Sequence, residues 1–193
     1  MQIKTDNWFP SPVWSVDFTE IDNQKIADYA QQLKHRDPIG AANTNYNGWQ
    51  SKFLDSKDAA PELLKLASLL NSVVEQLRIE CGYPPLHLYN IWININNKGS
   101  YNSVHNHRES LISGCYYVRV PLHSGNIEFY RNDEAEYYIP SNLSTFNHFN
   151  STKVVYESKD SQALFFPSWM KHGVQGSNSE EDRISVAFNF GKR

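Results

Sequence analysis

The pattern of apolar and polar positions divides the chain into a helical first part and a strand-rich second part. Apolar residues recur at helical spacing in EIDNQKIADYAQQLK, which follows Thr19, and again from Pro61 to Cys81-Gly82. Thr19 can cap the first helix, and proline suits the first turn of the second because its missing N–H would have no partner there. Two helices are therefore predicted, with a loop or lid rich in Pro, Gly and Asn at residues 35–50 between them.

From residue 86 onwards the period changes to two, which is typical of strands. The stretch LHLYNIWININN alternates between one face with Leu86, Leu88, Asn90, Trp92, Asn94 and Asn96 and another with His87, Tyr89, Ile91, Ile93 and Ile95. Further short strands are predicted at 111–120, 126–131, 137–139, 153–157, 162–167, 172–175 and 183–190. Seven or eight short strands with turn signals between them favour a closed sandwich or jelly roll.

The length of 193 residues predicts a single domain, 1–193. Within it, residues 1–84 form an extended N-terminal segment and supporting helices, and residues 85–193 form the β core. A formal charge of -3 without a long basic run argues against a nucleic-acid partner. The chain shows neither an apolar run of membrane-spanning length nor a signal sequence, so we expect a soluble, cytoplasmic protein without a membrane partner.

Three histidines and one arginine in the β core are the residues that suggest chemistry. His105 and His107 are two positions apart, so in an extended stretch both imidazoles point to the same side and could bind one ion. His172 lies far downstream, after the apolar run ALFFP, and Arg183 opens the alternating run RISVAFNF. Paired antiparallel strands would bring His172 and Arg183 together, as a metal ligand and an anion clamp.

The chain from about residue 92 to residue 190 resembles the iron(II)- and 2-oxoglutarate-dependent oxygenases, in particular the prolyl-hydroxylase-like branch and a less characterised set of oxygenases. The matching pieces are YNSVHNH, SGCYYVRVP, ALFFPSWMKHGVQ and RISVAFNF. The resemblance implies a double-stranded β-helix, which is a cupin-like jelly roll, with a helical N-terminal layer. It also implies a hydroxylase that uses Fe(II), 2-oxoglutarate and O2 and forms succinate and CO2.

Position by position, the resemblance implies that His105 and His172 bind iron and that Arg183 pairs with the distal carboxylate of 2-oxoglutarate. A guanidinium suits this role because it matches a carboxylate through two parallel hydrogen bonds. Further candidates for contact with 2-oxoglutarate are Ser113, Tyr117, Ser185 and, on weaker grounds, Asn94.

The chain departs from the usual His-x-Asp or His-x-Glu motif, because His105-Asn106-His107 has a histidine in the carboxylate position. Three arrangements are open. His107 is the third ligand, or water takes that place, or the register slides so that Glu109 is the carboxylate of a His-x-Glu motif. We favour His107, since neutral imidazole is a good iron ligand and the distance from His105 to the SGCYYV strand better resembles relatives.

Two other functions remain compatible with these residues. One is a cupin-like dioxygenase that uses three histidines without 2-oxoglutarate, and it would not need Arg183. The other is a non-catalytic jelly-roll binding module. The primary substrate is open as well, with a peptide or protein side chain as the first hypothesis and a small metabolite as the second. The oligomeric state is also open.

Overall fold

The structure is a computed structural model that describes residues 2–57 and 59–192. Helix α1 is Asn23–Arg36 and helix α2 is Pro61–Glu80. The strands of the described chain are β1 Trp14–Asp17, β2 Asn45–Tyr46, β3 Trp49–Gln50, β4 His87–Asn96, β5 Tyr101–His105, β6 Ile112–Arg119, β7 Ile127–Tyr130, β8 Lys153–Tyr156, β9 Gln162–Pro167, β10 His172–Val174 and β11 Arg183–Gly191. Neither α-helix is long and apolar enough to cross a membrane.

The strands form two antiparallel sheets. One has six strands in the order β1-β9-β6-β11-β4-β3, and the other has five in the order β2-β5-β10-β7-β8. From β4 to β11, consecutive strands alternate between the two sheets, except that β7 and β8 form a hairpin within the five-stranded sheet. This is the predicted double-stranded β-helix.

The helices cover one face of the six-stranded sheet. Buried leucines of α2, such as Leu66 and Leu70, and buried Ile26 of α1 pack with Ile93 and Val186 of the sheet in one apolar cluster. Because alternate residues of a strand point to opposite faces, burial of the isoleucines of β4 on this side directs its polar residues to the space between the sheets. The helical layer therefore fixes which strand face forms the interior.

Three sequence predictions are wrong in detail. Residues 137–139 are not a strand, because a 3₁₀ helix occupies Glu134–Tyr138. The stretch 35–50 is not wholly a loop, since it contains β2 and β3. Leu88 does not share the face of Asn90, because the register of β4 against β11 shifts by one residue there and Leu88 joins the apolar core.

The first helix begins later than predicted. Its N-cap is Asp22, whose side chain accepts a hydrogen bond from the Lys25 N–H, and Thr19 lies outside the helix. The second helix begins at Pro61, as the sequence predicts. The difference for α1 arises because aspartate and threonine are both good caps and the sequence does not rank them.

Candidate metal and cosubstrate site

A cavity of about 360 Å³ lies between the two sheets. Four rows of facing residues from the six-stranded sheet build one wall: Asn96 and Arg183; Gln50, Asn94, Ser185 and Tyr117; Trp92, Ala187 and Cys115; and Asn90, Asn189 and Ser113. Apart from Ser113, all of these side chains reach the cavity. The other sheet contributes His105 and His172 opposite them.

Residues 37–54, which we call the strap, cross the mouth of this cavity from one sheet to the other. Within the strap, β2 pairs with β5 of the five-stranded sheet and β3 pairs with β4 of the six-stranded sheet. Its two ends are held together, because Lys52 forms a 2.8 Å ion pair with Asp37 and the Trp49 indole donates to the Asp37 carbonyl at 2.8 Å. Four strap residues line the cavity, namely Asn43, Thr44, Gln50 and Phe53. The strap therefore forms part of the cavity wall as well as a connection between the two helices.

His105, His107 and His172 form one cluster on the cavity wall. One ring nitrogen from each lies within 4.8 Å of the others, a spacing at which a single ion could contact all three. His105 and His172 are direct partners in the register of β5 and β10. His107 follows the end of β5, and its backbone N–H donates to the Ser168 carbonyl at 2.9 Å, which holds the ring beside the other two.

Two backbone carbonyls fix the protonation of His105 and His172. Nδ1 of His105 lies 2.8 Å from the Ser103 carbonyl oxygen, and Nδ1 of His172 lies 2.9 Å from that of Met170. A carbonyl can only accept, so Nδ1 carries the proton in each neutral ring and Nε2 keeps its lone pair. Nε2 is therefore the atom of each ring that is available to a metal.

Burial keeps the three imidazoles neutral. It lowers the pKa of His107 to about 4 and that of His172 to about 3, and it also lowers the pKa of His105. The mutual repulsion of protonated rings acts in the same direction on His107 and His172. Metal ligation needs the neutral form, so the cluster is ready to bind a cation at neutral pH.

The amide of Asn189 lies beside the His107 ring and is hydrogen-bonded in turn to a pair of serine hydroxyls. Nδ2 of Asn189 lies 3.5 Å from the His107 Nδ1 and donates to Asn90 Oδ1 at 2.8 Å. Oδ1 of Asn189 accepts from the Ser113 hydroxyl at 2.6 Å, and that hydroxyl lies 2.7 Å from the hydroxyl of Ser168. Ser113 is therefore placed behind Asn189 and does not line the cavity.

Arg183 is a buried cation without an anionic partner among the described residues. Its exposed fraction is 2%, its Nη1 donates to the Gly125 carbonyl at 2.8 Å, and its Nη2 donates to Asn96 Oδ1 at 3.3 Å. Nε of the same guanidinium is buried and makes no hydrogen bond. Burial lowers the pKa of Arg183, yet a guanidinium stays charged in proteins. Such a group is costly to bury unless an anion joins it.

The row next to Arg183 provides polar groups that a carboxylate could meet. Ser185 is buried at the cavity wall, and Asn94 beside it has a buried Oδ1 without a hydrogen bond. Burial raises the pKa of Tyr117 well above its usual range, so that its hydroxyl remains a donor. Cys115 also faces the cavity, and burial raises the pKa of its thiol to about 11, which keeps it protonated.

Glu109 lies apart from the histidine cluster. Its side chain is exposed and accepts a 3.1 Å hydrogen bond from the Tyr89 hydroxyl. Among the described residues, the group with the spacing of a metal site consists of the three histidines alone. Trp92 lines the cavity and its ring centroid lies 6.1 Å from that of His107, whereas Trp169 is not part of the lining.

Sequence reasoning missed several residues of the site. Asn96 and Gly125 hold the Arg183 side chain, and Asn189 stands behind His107. The alternation in LHLYNIWININN placed Asn96 on the polar face, and Asn189 is the polar residue within the apolar run VAFNF. The sequence therefore contained a signal for both residues. Gly125 gave no signal, because its contribution is a backbone carbonyl.

The residues present fit Fe(II) with 2-oxoglutarate. Each of the three neutral imidazoles has one ring nitrogen with a lone pair, which suits a divalent iron ion. The buried guanidinium of Arg183, which has no anionic partner among the described residues, suits a dicarboxylate in the same cavity. The cavity therefore contains both three possible metal ligands and a cation without an anionic partner among the described residues.

Comparisons with known proteins agree with this geometry. Residues 90–189, about half of the chain, match the family described as "Putative 2OG-Fe(II) oxygenase", where 2OG is 2-oxoglutarate. No curated protein matches the chain in sequence.

Several solved structures share the fold at low sequence identity. A prolyl-4-hydroxylase from Pseudomonas putida has a TM-score of 0.65 at 12% identity, with 95% of this chain and 94% of that one covered. HygX from Streptomyces hygroscopicus, solved with nickel and 2-oxoglutarate, has a TM-score of 0.63 at 14% identity, with 94% and 82% covered. A Trichoplax adhaerens prolyl hydroxylase, in complex with a peptide fragment of hypoxia inducible factor, has a TM-score of 0.65 at 12% identity, with 92% and 83% covered. Fold, cavity and family match together identify this chain as a member of the Fe(II)- and 2-oxoglutarate-dependent oxygenases.

Proposed function

We propose that His105, His107 and His172 hold Fe(II), that Arg183 holds the distal carboxylate of 2-oxoglutarate, and that the enzyme hydroxylates an uncharged group of a peptide or protein. The observation that carries this proposal is the buried Arg183, whose Nε lacks a partner in the same cavity as the three neutral imidazoles. Residues 85–193 form the catalytic core in this proposal, and residues 1–84 support it.

The overall reaction balances in atoms and electrons. A substrate C–H bond becomes C–OH, and 2-oxoglutarate loses its 1-carboxylate as CO2 and is oxidised to succinate. One oxygen atom of O2 enters the new hydroxyl group and the other enters the new carboxylate of succinate. The bound metal supplies the activation of O2, which no side chain of the chain can perform. The residues of the chain bind and orient the reactants and exclude water.

Around the cosubstrate, each residue has a separate task. Arg183 gives two parallel hydrogen bonds to the distal carboxylate, because one N–H of Nη1 and one of Nη2 have partners and the N–H of Nε is among the donors that remain free. The hydroxyl groups of Ser185 and Tyr117 can each donate a hydrogen bond to this carboxylate. The raised pKa of Tyr117 keeps its hydroxyl protonated beside an anion. The amide of Asn94 can turn so that its Nδ2 donates as well. Ser113 acts indirectly, through Asn189.

His107 completes the metal face in this proposal, and Glu109 does not. The three-histidine cluster, which does not include Glu109, and the hydrogen bond of Glu109 with Tyr89 support this choice. A three-histidine dioxygenase without 2-oxoglutarate would share the metal face, but it would leave the buried cation of Arg183 unexplained. For this reason we do not favour it.

The experiment that tests the proposal is oxygen-dependent turnover of 2-oxoglutarate. Purified protein with Fe(II) should form succinate in air, slowly without a primary substrate, and should form none under argon. His172→Ala should abolish the activity together with metal binding, whereas His87→Ala, at an exposed histidine, should retain both. Metal binding without any binding or turnover of 2-oxoglutarate would contradict the proposal.

A further inference from the structure

A second, apolar groove adjoins the mouth of the active-site cavity. It has a volume of about 450 Å³ and lies between the end of the strap, the first turns of α2 and the beginning of β4. Its apolar lining includes Leu54, Leu63, Leu64, Ala67, Leu88 and Ile91. Phe53 and Asn90 line both spaces, so the groove lies next to the cavity.

Aromatic rings mark the path between the two spaces. Phe53 is 62% exposed, its ring centroid lies 5.8 Å from that of buried Trp92, and the Trp92 ring lies 6.1 Å from that of His107. If a substrate group reaches the histidines along this path, the neighbouring part of the same substrate molecule would lie in the groove. A cavity of about 360 Å³ is at the small end for ligand pockets, so one that also holds 2-oxoglutarate has room for little more than one side chain.

The charges of the cavity limit the group that can enter. None of the acidic residues that the structure describes lines it, and its one permanent cation is Arg183. A cationic side chain would find no counter-ion, and an anionic one would compete with 2-oxoglutarate for Arg183. Seven asparagines and Gln50 line the cavity instead, and within the described chain the side-chain amides of Gln50, Asn43 and Asn106 form no hydrogen bond. Asn94, which faces Gln50 in the sheet, has a buried Oδ1 without a hydrogen bond, so this wall suits a ligand with neutral donors and acceptors.

The outer edge of β4 is open where it borders the groove. β3 pairs with β4 at Asn94 and Ile95, and the N–H groups of Ser51 and Leu54 donate to the carbonyls of Ile93 and Ile91. From residue 90 back to residue 87, no backbone segment of the described chain pairs with this edge. An unpaired strand edge beside an apolar groove is a surface to which an extended peptide can add as a further strand.

We propose that the primary substrate is an extended, uncharged peptide segment that pairs with the open edge of β4 and places an apolar side chain in the groove against Leu64. A neighbouring uncharged side chain then passes Phe53 and Trp92 to the histidine cluster. Main-chain hydrogen bonds to residues 87–90 provide affinity, and the groove provides sequence preference. The inference rests on the proposed oxygenase function for the fate of the inserted side chain, but peptide binding can be measured without turnover.

The test is binding of a library of blocked, uncharged peptides to protein loaded with Mn(II) and an unreactive 2-oxoglutarate analogue. We expect the bound peptides to share one apolar position, and we expect Leu64→Glu to weaken their binding at least about tenfold. Leu64 is 42% exposed, so this change is compatible with folding. Ile79→Glu is the matched control, because Ile79 is 65% exposed at the other end of the same helix and outside the groove. Every second backbone N–H of an added strand faces β4, so methylation of those nitrogens in a bound peptide should abolish its binding.

The outcomes separate this inference from the proposed function. Failure to bind Mn(II) or the analogue counts against the oxygenase site itself. Normal binding of both, with no peptide retained or with equal affinity for Leu64→Glu and wild type, overturns the peptide inference alone. Turnover of a small metabolite by protein that retains no peptide also overturns it.

Discussion

His105 and His172 are register partners in neighbouring antiparallel strands, and their ring centroids lie 4.4 Å apart. Each ring has its Nδ1 beside the carbonyl of the residue two positions earlier, so both present Nε2 to the same point. The two strands thus give two equivalent candidate metal ligands. The residue that provides the third ligand decides whether the metal is held by three histidines or by two histidines and a carboxylate.

Substitution of the third position should identify its ligand. We expect His107→Ala to weaken binding of Fe(II) or Mn(II) by at least about tenfold, since it removes an imidazole from the cluster. Glu109→Ala should leave metal affinity unchanged, because Glu109 is exposed and bonded to Tyr89. Calorimetric titration with Mn(II) measures both. The reverse pattern, with Glu109→Ala impaired and His107→Ala normal, would show that Glu109 is the ligand.

Arg183 should matter for 2-oxoglutarate and little for folding. In Arg183→Met the side chain keeps its length but loses its charge, and the cost of burying an unpaired guanidinium disappears. We expect an unchanged or slightly higher melting temperature without ligand, together with a loss of 2-oxoglutarate affinity on the order of 100-fold. Arg183→Lys should not restore binding, because an ammonium cannot make the two parallel bonds. Equal thermal stabilisation of wild type and Arg183→Met by 2-oxoglutarate would refute the assignment.

The fold, the histidine cluster and Arg183 could be predicted from the sequence because local patterns mark them. Period-two alternation predicted most of the strands, and the spacing of His105 and His107 suggested two ligands of one ion. The resemblance to known oxygenases added the roles of His172 and Arg183. The bulge that moves Leu88 into the core could not be predicted, since it arises from pairing with a strand about a hundred residues away. The pairing of β2 and β3 was missed for a related reason: two-residue strands leave no periodicity to detect.

Asn189 should act as a positioning residue for His107. A metal on Nε2 of His107 requires the proton on Nδ1, and the amide of Asn189 must then turn so that its oxygen accepts. Its Nδ2 would next donate to Ser113, whose hydroxyl can donate to Ser168. We expect Asn189→Ala to lower Mn(II) affinity by roughly tenfold and Asn189→Asp to preserve it, because a carboxylate is also an acceptor.

A suitable control for Asn189 is Asn106→Ala. Asn106 also lines the cavity but has no side-chain hydrogen bond within the described part of the chain. Its substitution should not change metal affinity. If both variants bind Mn(II) as tightly as wild type, Asn189 has no positioning role.

The acid stability of the protein should depend on Glu128. This carboxylate is buried on β7, where burial alone would raise its pKa, but bonds from Lys153 at 2.7 Å, Tyr130 at 2.6 Å and Gln175 at 2.8 Å lower it overall. A folded-state pKa below the unfolded value means that Glu128 stabilises the fold above the unfolded pKa, and that this stability is lost as pH falls through the folded pKa.

Glu128→Gln should therefore be less stable than wild type at neutral pH, by about 1–3 kcal/mol. The difference should shrink as the pH falls through the lowered pKa of Glu128, because wild type then loses the same charge. Urea unfolding at several pH values measures it. A difference that stays constant across this range would show that the charge of Glu128 does not contribute.

Residues 42–47 of the strap could be exchanged as a unit. They are exposed or half-buried, and they pair with the barrel through the two-residue strand β2. The end of the strap is anchored instead, because Trp49 is buried in the main apolar core and the Ser51 hydroxyl accepts from the Ile93 N–H at 2.9 Å. Residues 42–47 supply Asn43 and Thr44 to the cavity but none of the three histidines or Arg183. Their replacement by segments of other sequence would therefore alter which molecules are selected while the oxidative chemistry is retained, so this part of the strap is the natural starting point for engineering new selectivity on this scaffold.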